Sequence, residues 1–151
     1  KAEALAAKLE AGLERIRERA AQFARRPKVY FEEWDDPLIV GSRWVSELVE
    51  IAGGEECFPE RARESLAKGR ILADPSEVIA RAPDIILGSW CGKKFRPERV
   101  AARPGWDAIP AVANNELHEV KSSIILQPGP AALTDGVEFI HRVIERWQER
   151  E

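Results

Sequence analysis

The architecture of this chain is set by the stretch Pro83-Asp-Ile-Ile-Leu-Gly-Ser-Trp-Cys-Gly-Lys-Lys94. Its uninterrupted apolar run, Ile85-Ile86-Leu87, predicts a strand covered on both faces, as central strands of parallel sheets are. Gly88 and Gly92 then bracket the segment Ser89-Trp-Cys91, which is predicted to be displayed where the strand stops. In open α/β sheets, ligands bind beyond the carboxyl ends of the strands. Functional residues are therefore expected at the strand ends.

The same stretch departs from two catalytic motifs. A P-loop has four residues between its glycines and then Gly-Lys-Ser/Thr, whereas Gly88 and Gly92 enclose a shorter segment and Lys94 stands at the hydroxyl position. The nucleophile elbow Gly-x-Ser-x-Gly is out of register, because Ser89 follows Gly88 directly. The stretch therefore contains neither the P-loop of nucleotide hydrolases nor the nucleophile elbow of serine hydrolases.

Cys91 keeps one enzyme hypothesis open. A thiolate beside Lys93 would suit a flavodoxin-like or thiol-dependent enzyme, although no histidine lies near it in the sequence. The alternative interpretation is a half-buried cysteine beside a ligand-facing tryptophan. Cys57 is the second cysteine, and the two either form a disulfide, as in an exported protein, or remain thiols, as in a cytosolic one. The sequence leaves both questions open.

Length and composition indicate one soluble globular domain of 151 residues, with 44% hydrophobic and 32% charged residues. The net charge of -3 gives no basic surface, so nucleic acid is not an expected partner. No apolar run approaches the ~20 residues that a membrane-spanning helix needs. The chain contains no methionine and begins inside a helical pattern, so we expect a fragment or a processed piece of a longer protein.

Helical periodicity predicts the first element over residues 1–26. Apolar side chains recur there at spacings of four and three, which places them on one stripe of a helix: Leu5, Leu9, Leu13, Ile16, Ala20 and Phe23. Such a helix either packs on the domain or connects two lobes. Pro27 ends it, and aromatic and β-branched residues predict a first strand over residues 28–34.

Capping signals predict two further helices. Ser42 is placed to cap the first of them, and Gly53-Gly54 to end it. The segment Asp74-Pro-Ser-Glu77 combines an N-cap, a first-turn proline and a capping-box glutamate, and Pro83 forces that helix to end by Ala82.

The C-terminal part is predicted as a short helix over residues 97–102, a strand pair and a final helix. Residues 106–112 and 117–120 form the strand pair, with a hairpin-like turn at Asn114-Asn115. The final helix follows Pro130 and carries one apolar stripe: Leu133, Val137, Ile140, Ile144 and Trp147. Together the elements predict an α/β three-layer sandwich with helices on both sides of a largely parallel sheet.

Four motifs occur in an order that resembles a known family: Val29-Tyr-Phe-Glu-Glu-Trp34, Trp44-Val-Ser-Glu-Leu-Val-Glu-Ile-Ala-Gly-Gly54, Asp74-Pro-Ser-Glu-Val-Ile-Ala-Arg-Ala-Pro-Asp-Ile-Ile86 and Leu126-Gln-Pro-Gly-Pro130. They resemble the C-terminal lobe of the periplasmic binding proteins that serve ABC importers of cobalamin and iron-siderophores. The Trp-Cys-Gly-Lys segment looks most like the cobalamin-binding members. The resemblance covers about residues 1–148.

This resemblance implies a non-catalytic, extracytoplasmic binding lobe without a cofactor. Residues 1–26 would be the inter-lobe connector helix and residues 27–151 the C-terminal α/β lobe, with the N-terminal lobe absent from this chain. The partners implied are a corrinoid or iron-chelate ligand, the permease of an ABC importer and the missing N-terminal lobe. Exposed Leu and Ile side chains on the first helix also make a homodimer of the isolated lobe plausible.

The family holds its ligand between the lobes, so the implied ligand-binding residues are those at strand ends: Trp34, Trp90, Ser122 and Gln127. Trp44 and Trp106 are further candidates, although a tryptophan inside a helix or a turn is more often a core residue than a ligand contact. A corrin is a broad apolar plate with amide arms, which suits aromatic side chains and a few hydrogen-bond donors. The family often has an arginine after its last Gly-Pro, where this chain has Ala131. An anionic siderophore therefore lacks one expected contact.

Members of this family dock on the permease through one surface carboxylate from each lobe. Glu33, Asp36 and Glu47 are the candidates here, and a solvated acidic face is the alternative. His118 and His141 have no Cys, Asp or Glu at metal-ligand spacing, so both are predicted to be surface residues rather than metal ligands.

Overall fold

The computed structural model describes residues 2–126 and 130–150. Within these ranges the strands are β1 (Lys28–Asp35), β2 (Leu38–Val40), β3 (Glu55–Glu56), β4 (Ile71–Leu72), β5 (Ile85–Gly88) and β6 (Leu117–Glu119). The α-helices are α1 (Ala2–Ala20), α2 (Arg43–Ala52), α3 (Pro59–Ala62), α4 (Ser76–Arg81), α5 (Pro97–Ala101), α6 (Pro110–Ala113), α7 (Ser122–Ile125) and α8 (Val137–Arg150). Shorter 3₁₀ turns cover Ala67–Arg70 and Trp106–Ala108, and a π-helical turn, Ala132–Gly136, leads into α8.

The six strands form one mixed sheet, in which five follow the order β4-β2-β1-β5-β6 and β3 pairs with β1 outside this order. β1 pairs in parallel with β5, and β5 with β6, so the carboxyl ends of these three strands lie at one edge of the sheet. β2 pairs antiparallel with the end of β1, while the short β3 runs parallel to its beginning. We call the edge at the carboxyl ends of β1, β5 and β6 the strand-end edge.

Helices cover both faces of this sheet. Successive side chains of β1 point to opposite faces, so they enter two different hydrophobic clusters. Val29 and Phe31 belong to a hydrophobic cluster that includes buried residues of α1, α2 and α8. Tyr30 belongs to a second cluster, with residues of α4, α5 and α6. The predicted three-layer α/β architecture is confirmed.

Local signals confirm the second and fourth helices. The Ser42 hydroxyl accepts a hydrogen bond from the backbone N–H of Val45, and Gly53 ends α2 with a φ of 111°. The left-handed conformation at Gly53 favours glycine because it has no Cβ. α4 ends at Arg81, one residue before Ala82, as the following Pro83 requires.

The predicted C-terminal strand pair is wrong. Trp106–Ala108 is a 3₁₀ turn and Pro110–Ala113 is a helix, so only Leu117–Glu119 forms a strand, and it pairs with β5. Pro110 explains the difference. A residue at the first helical position donates no helical hydrogen bond, so proline, which has no backbone N–H, is well suited to start a helix there. The Asn-Asn pair ends this helix, with Asn115 at a φ of 57°.

The first helix is shorter than predicted and ends at Ala20. Phe23, which follows it, stacks on the imidazole of His141 with ring centroids 5.4 Å apart. His141 is 3% exposed and its Nδ1 lies 2.8 Å from the carbonyl oxygen of Ala52. The prediction of a surface histidine is therefore wrong for His141, whereas His118 is half-buried beside Glu116.

Candidate functional site

Lys93 brings together the two tryptophans predicted at the strand ends. Its ammonium lies 4.5 Å from the ring centroid of Trp34 and 5.2 Å from that of Trp90. The same ammonium lies 2.7 Å from Oδ1 of Asp35. Because β1 and β5 run in parallel, both segments leave the sheet at the same edge. Trp34 and Trp90 therefore share one end of the domain, as the strand order predicts.

Trp90 is not displayed, contrary to the prediction. It is 3% exposed, its indole Nε1 donates to Oε2 of Glu32 at 2.9 Å, and its ring packs edge-to-face on Phe95 at 5.0 Å. The chain folds back after Cys91 and inserts Phe95 beneath the end of β5, which covers the indole. Ser89 is also buried, at 1% exposure, and only Cys91 of the three bracketed side chains is exposed.

Glu32 is the centre of a buried polar network that the sequence interpretation missed. It is 0% exposed and accepts a hydrogen bond from the Tyr30 hydroxyl at 2.8 Å. The guanidinium of Arg103 donates to both carboxylate oxygens, at 2.7 and 2.9 Å, and Trp90 adds its indole N–H. The available signal was the alternation of β1, which places Glu32 on the same buried face as Tyr30.

In this network Tyr30 keeps its hydroxyl proton and Arg103 keeps its positive charge. Burial, followed by the charge of Glu32 and the hydrogen bond to it, raises the pKa of Tyr30 well above its ordinary value. For Arg103, burial lowers the pKa, but hydrogen bonds to Glu32 and its charge outweigh burial and raise it. Tyr30 therefore stays a neutral donor and Arg103 a cation, and together they satisfy the buried carboxylate.

An open pocket of about 520 Å³ lies at the strand-end edge, between the β1–β2 turn, the start of α4 and the segment after α5. We call it the edge pocket. Its lining is Asp35, Asp36, Pro37, Leu38, Leu72, Ala73, Asp74, Pro75, Ser76, Ile79, Arg103, Pro104 and Trp106. Most of these side chains are apolar, and the acidic ones come from the end of β1, the β1–β2 turn and the segment before α4. Arg103 connects the pocket wall to the Glu32 network.

The three predicted docking carboxylates lie in different surroundings. Glu33 accepts hydrogen bonds from the backbone N–H of Ser42 at 2.6 Å and from Arg70 at 3.0 Å, so it is engaged internally. Asp36 is exposed at the β1–β2 turn. Glu47 is exposed on α2, with Arg43 Nε 3.4 Å from its Oε1.

Glu47 borders a second recess, of about 530 Å³, which we call the acidic recess. It is lined by Arg43, Ser46, Glu47, Glu50, Glu55, Glu56, Pro59, Ala62 and Arg63. Glu56 lies at 6% exposure, and its Oε2 accepts from the backbone N–H of Phe58 at 2.9 Å. Burial, with the charge of Glu50 as a smaller contribution, raises the pKa of Glu56 to about 7.

The remaining predicted ligand residues occupy less exposed positions. Trp106 is 0% exposed, and Trp44 is half-buried against the cluster of α1, α2 and α8. Ser122 begins α7 and is half-buried. Gln127 lies outside the described residues.

The two cysteines are free thiols, so the open question of a Cys57–Cys91 bridge is answered against it in this structure. Burial, followed by the charge of Glu56, raises the pKa of the Cys57 thiol to about 12. Over residues 2–126 and 130–150, no cluster of three or more His, Cys, Asp or Glu side chains is arranged to hold a metal ion. In the same ranges no helix combines the length and the apolar character that crossing a membrane requires.

Comparison with known proteins identifies the class. Residues 1–124 match the model of a family described as periplasmic binding protein, and the chain belongs to this family. These proteins are transport-associated binding proteins rather than enzymes. No curated protein matches the chain.

Solved structures share the fold. A periplasmic heme-binding protein of Roseiflexus sp. RS-1, RhuT, is 25% identical with a TM-score of 0.70 over 94% of this chain and 56% of its own. The vitamin B12 binding protein BtuF of Vibrio cholerae is 18% identical, with a TM-score of 0.68 over 94% of this chain and 52% of its own. An ABC-type Fe3+-hydroxamate transport protein of Saccharomonospora viridis is 19% identical, with a TM-score of 0.73 over 94% and 48%. The chain thus spans about half the length of the structures it matches.

Proposed function

We propose that this chain is the C-terminal lobe of an extracytoplasmic substrate-binding protein that delivers a corrinoid or an iron chelate to an ABC importer. The observation that carries the proposal is the meeting of Trp34, Trp90 and Lys93 beside the edge pocket at one end of the sheet. Structures of the same fold that are named for vitamin B12, heme and Fe3+-hydroxamate support the ligand class.

Trp34 is the residue we propose to contact the ligand directly. It is half-buried, and its indole N–H donates to the backbone carbonyl of Asp36 at 3.1 Å, which fixes the ring plane. A fixed aromatic ring offers a large contact area at low entropic cost, which suits a flat apolar ligand. Trp90 and Trp106 would act from inside the lobe by supporting this surface, while Trp44, Ser122 and Gln127 stay candidates for further contacts.

The charges near the strand-end edge favour a ligand of low net charge. Three carboxylates there are matched by a cation each: Asp35 by Lys93, Glu32 by Arg103 and Glu33 by Arg70. Paired groups of this kind leave little unmatched positive charge for a polyanion. Ala131, at the position where the family often has an arginine, also removes a positive charge that an anionic ligand would need. We therefore favour a corrinoid over an anionic iron chelate.

A second lobe would complete the cleft. Each solved structure named above is about twice as long as the aligned part, so we propose that an N-terminal lobe faces the strand-end edge, with residues 1–26 as the connector. The isolated lobe should bind weakly, because half of the contacts are missing.

The direct test uses a protein in which this chain follows its N-terminal lobe. Cyanocobalamin, hemin and a ferric hydroxamate are titrated by calorimetry and tryptophan fluorescence. We expect cyanocobalamin to bind tightest, and Trp34→Ala to weaken it by roughly tenfold or more, as for a central aromatic contact. Leu66→Ala is the control, because Leu66 is 61% exposed and does not line the edge pocket. Absence of binding to all three ligands would overturn the proposal.

For docking on the permease, we propose Asp36 and Glu47 ahead of Glu33, because Glu33 is already paired within the lobe. Glu47→Lys should lower transport while leaving ligand affinity unchanged, and Glu149→Lys, at an exposed position of α8, is the control. Equal transport by both variants would remove Glu47 from this role.

A thiol-dependent enzyme is the alternative function, and it draws little support. Lys93 points its ammonium at Asp35 and two indole rings, so it is not reserved for activating Cys91. A rate of alkylation at Cys91 far above that of a free thiol would revive this alternative.

A further inference from the structure

Lys93 covers part of Trp34, the ring proposed to contact the ligand. Its ammonium lies over the Trp34 ring at 4.5 Å from the centroid, within the distance of a cation–π interaction. Trp34 also packs partly against the hydrophobic cluster that contains Tyr30, which leaves only a limited ring surface open. The hydrogen bond from its indole to the backbone of Asp36 keeps the ring from turning away. A flat ligand and the ammonium therefore compete for this surface.

Asp35 holds the ammonium at this position. Its Oδ1 lies 2.7 Å from Nζ of Lys93, and only 17% of the Asp35 side chain is exposed, compared with 41% for Lys93. In the described part of the chain no well-aligned hydrogen bond reaches this oxygen, so charge alone holds the pair together. Such a contact breaks more readily than an aligned, hydrogen-bonded ion pair, because it imposes no fixed geometry on the lysine side chain.

The segment that carries Lys93 is anchored at both ends and surrounded by open space at Gly92. On one side Trp90 is buried, and on the other Phe95 is 2% exposed and its backbone N–H donates to Oε2 of Glu119 at 3.1 Å. Gly92 adopts a φ of 80°, and an added Cβ there would meet no atom within 4 Å. The Lys93 side chain can therefore leave Trp34 without disturbing the two buried anchors.

The strength of these contacts determines how readily Lys93 is displaced. Cation–π contacts and ion pairs of partly exposed side chains each contribute little, and together they correspond to roughly three- to tenfold in an equilibrium constant. A ligand that covers a broad apolar area exceeds this, because its gain grows with the area that it removes from water. The contact therefore lowers ligand affinity without preventing binding.

We propose that Lys93 is an autoinhibitory cover of the ligand site: in the free lobe Asp35 holds it on Trp34, and a ligand that lies on Trp34 displaces it. This inference rests on the proposed function and extends it, because it assigns a regulatory contact to the same ring. Removing the ammonium or its partner should expose Trp34 and strengthen ligand binding. A lysine that contacted the ligand would have the opposite effect.

The first test needs no ligand. TEMPOL, a small neutral nitroxide, is added to the 151-residue chain, and NMR follows the broadening of the assigned Trp34 ring signals. Lys93→Ala and Asp35→Asn should each increase this broadening, because either change uncovers the ring. The double variant should give no larger increase than Lys93→Ala, since both substitutions remove the same contact. Lys94→Ala is the matched control, because it removes an exposed lysine from the next position of the same segment.

The second test measures the effect on a ligand. Cyanocobalamin is titrated by calorimetry into the two-lobed protein and into its Lys93→Ala and Lys94→Ala variants. Lys93→Ala should bind roughly three- to tenfold more tightly than the parent, and Lys94→Ala should bind as the parent does. Equal or weaker binding by Lys93→Ala would overturn the proposal, because the lysine would then be neutral or a ligand contact.

The two tests separate this inference from the proposed function. If the parent and both variants fail to bind cyanocobalamin, the proposed ligand is wrong, and the broadening of the Trp34 signals alone decides whether Lys93 covers the ring. If neither Lys93→Ala nor Asp35→Asn increases the broadening, the cover does not exist, whatever ligand is bound. If Lys94→Ala increases it as much as Lys93→Ala, the effect belongs to the whole segment and also overturns the proposal.

Discussion

Arg103 donates to both carboxylate oxygens of Glu32, at 2.7 and 2.9 Å, although 71 positions separate the two residues in the chain. The contact ties the end of β1 to the segment that follows α5, and hence to a wall of the edge pocket. Breaking a buried ion pair at one partner leaves the other charge without compensation, which costs more than the pair contributes.

Arg103→Met should therefore lower the free energy of unfolding by about 3 kcal/mol, because it leaves the Glu32 carboxylate buried without its cation. Adding Glu32→Gln to Arg103→Met should recover part of this loss. Urea denaturation of the two single variants and the double variant measures the coupling. Arg99→Met, on the exposed side of α5, is the control. Additive effects of the two substitutions would contradict a coupled pair.

Gly88→Ala should destabilise the lobe by roughly 2 kcal/mol or more, because a Cβ there would lie 2.0 Å from the Phe95 ring. Phe95 packs on Trp90, so the tryptophan fluorescence should change as well. Gly12→Ala provides the opposite case. Its Cβ would meet only the Arg15 side chain, at 3.8 Å, and a helical alanine should add about 0.5–1 kcal/mol. Thermal melts that rank the two variants the other way would refute this interpretation of their surroundings.

Glu56 should make stability depend on pH near neutrality. Its pKa is about 7 in the folded chain, compared with an ordinary value of 4.5, so the folded state holds the proton more tightly than the unfolded state. The bound proton on Glu56 therefore stabilises the folded state by about 3 kcal/mol. This stabilisation is fully present below about pH 4.5 and is lost as the pH rises through about 7.

Glu56→Gln should accordingly be more stable than the parent at pH 8 and lose that advantage near pH 4. Denaturant titrations at several pH values measure the difference. Glu55→Gln, at the exposed neighbouring position, should leave the pH profile unchanged. A constant difference between Glu56→Gln and the parent at every pH would show that Glu56 does not titrate in this range.

The two thiols should react at very different rates. Cys91 is exposed, whereas Cys57 is buried with a pKa of about 12, so a thiol reagent should modify one cysteine in the native chain and two in denaturant. Cys91→Ser should abolish the native reaction. Loss of reaction at both sites under non-reducing conditions, restored by a reductant, would instead reveal a disulfide.

Local signals predicted the elements that depend on a few neighbouring residues. The apolar run of β5, the Ser42 cap and Gly53 end of α2, and the Pro83 stop of α4 are all confirmed, because each depends on contacts or backbone limits within a few positions. The Asn114-Asn115 pair misled the interpretation, since a turn dipeptide ends a helix as readily as it joins two strands.

The candidate site was less predictable because its decisive contacts are long-range. That Trp34 and Trp90 share an edge followed from parallel strand order. That Trp90 is buried depends on Phe95 returning to the end of β5, which no spacing in the sequence reveals. Glu32 and Arg103 carried no local signal that joined them.

The alternation of buried side chains along β1 restricts insertions and deletions within this strand. Val29 and Phe31 enter one hydrophobic cluster, and Tyr30 the other. One inserted or deleted residue at the start of β1 would exchange the two sets and turn the Glu32 carboxylate toward the opposite, apolar layer. Homologues should therefore keep the length of this strand unchanged and differ instead within residues 63–68, where every side chain is exposed.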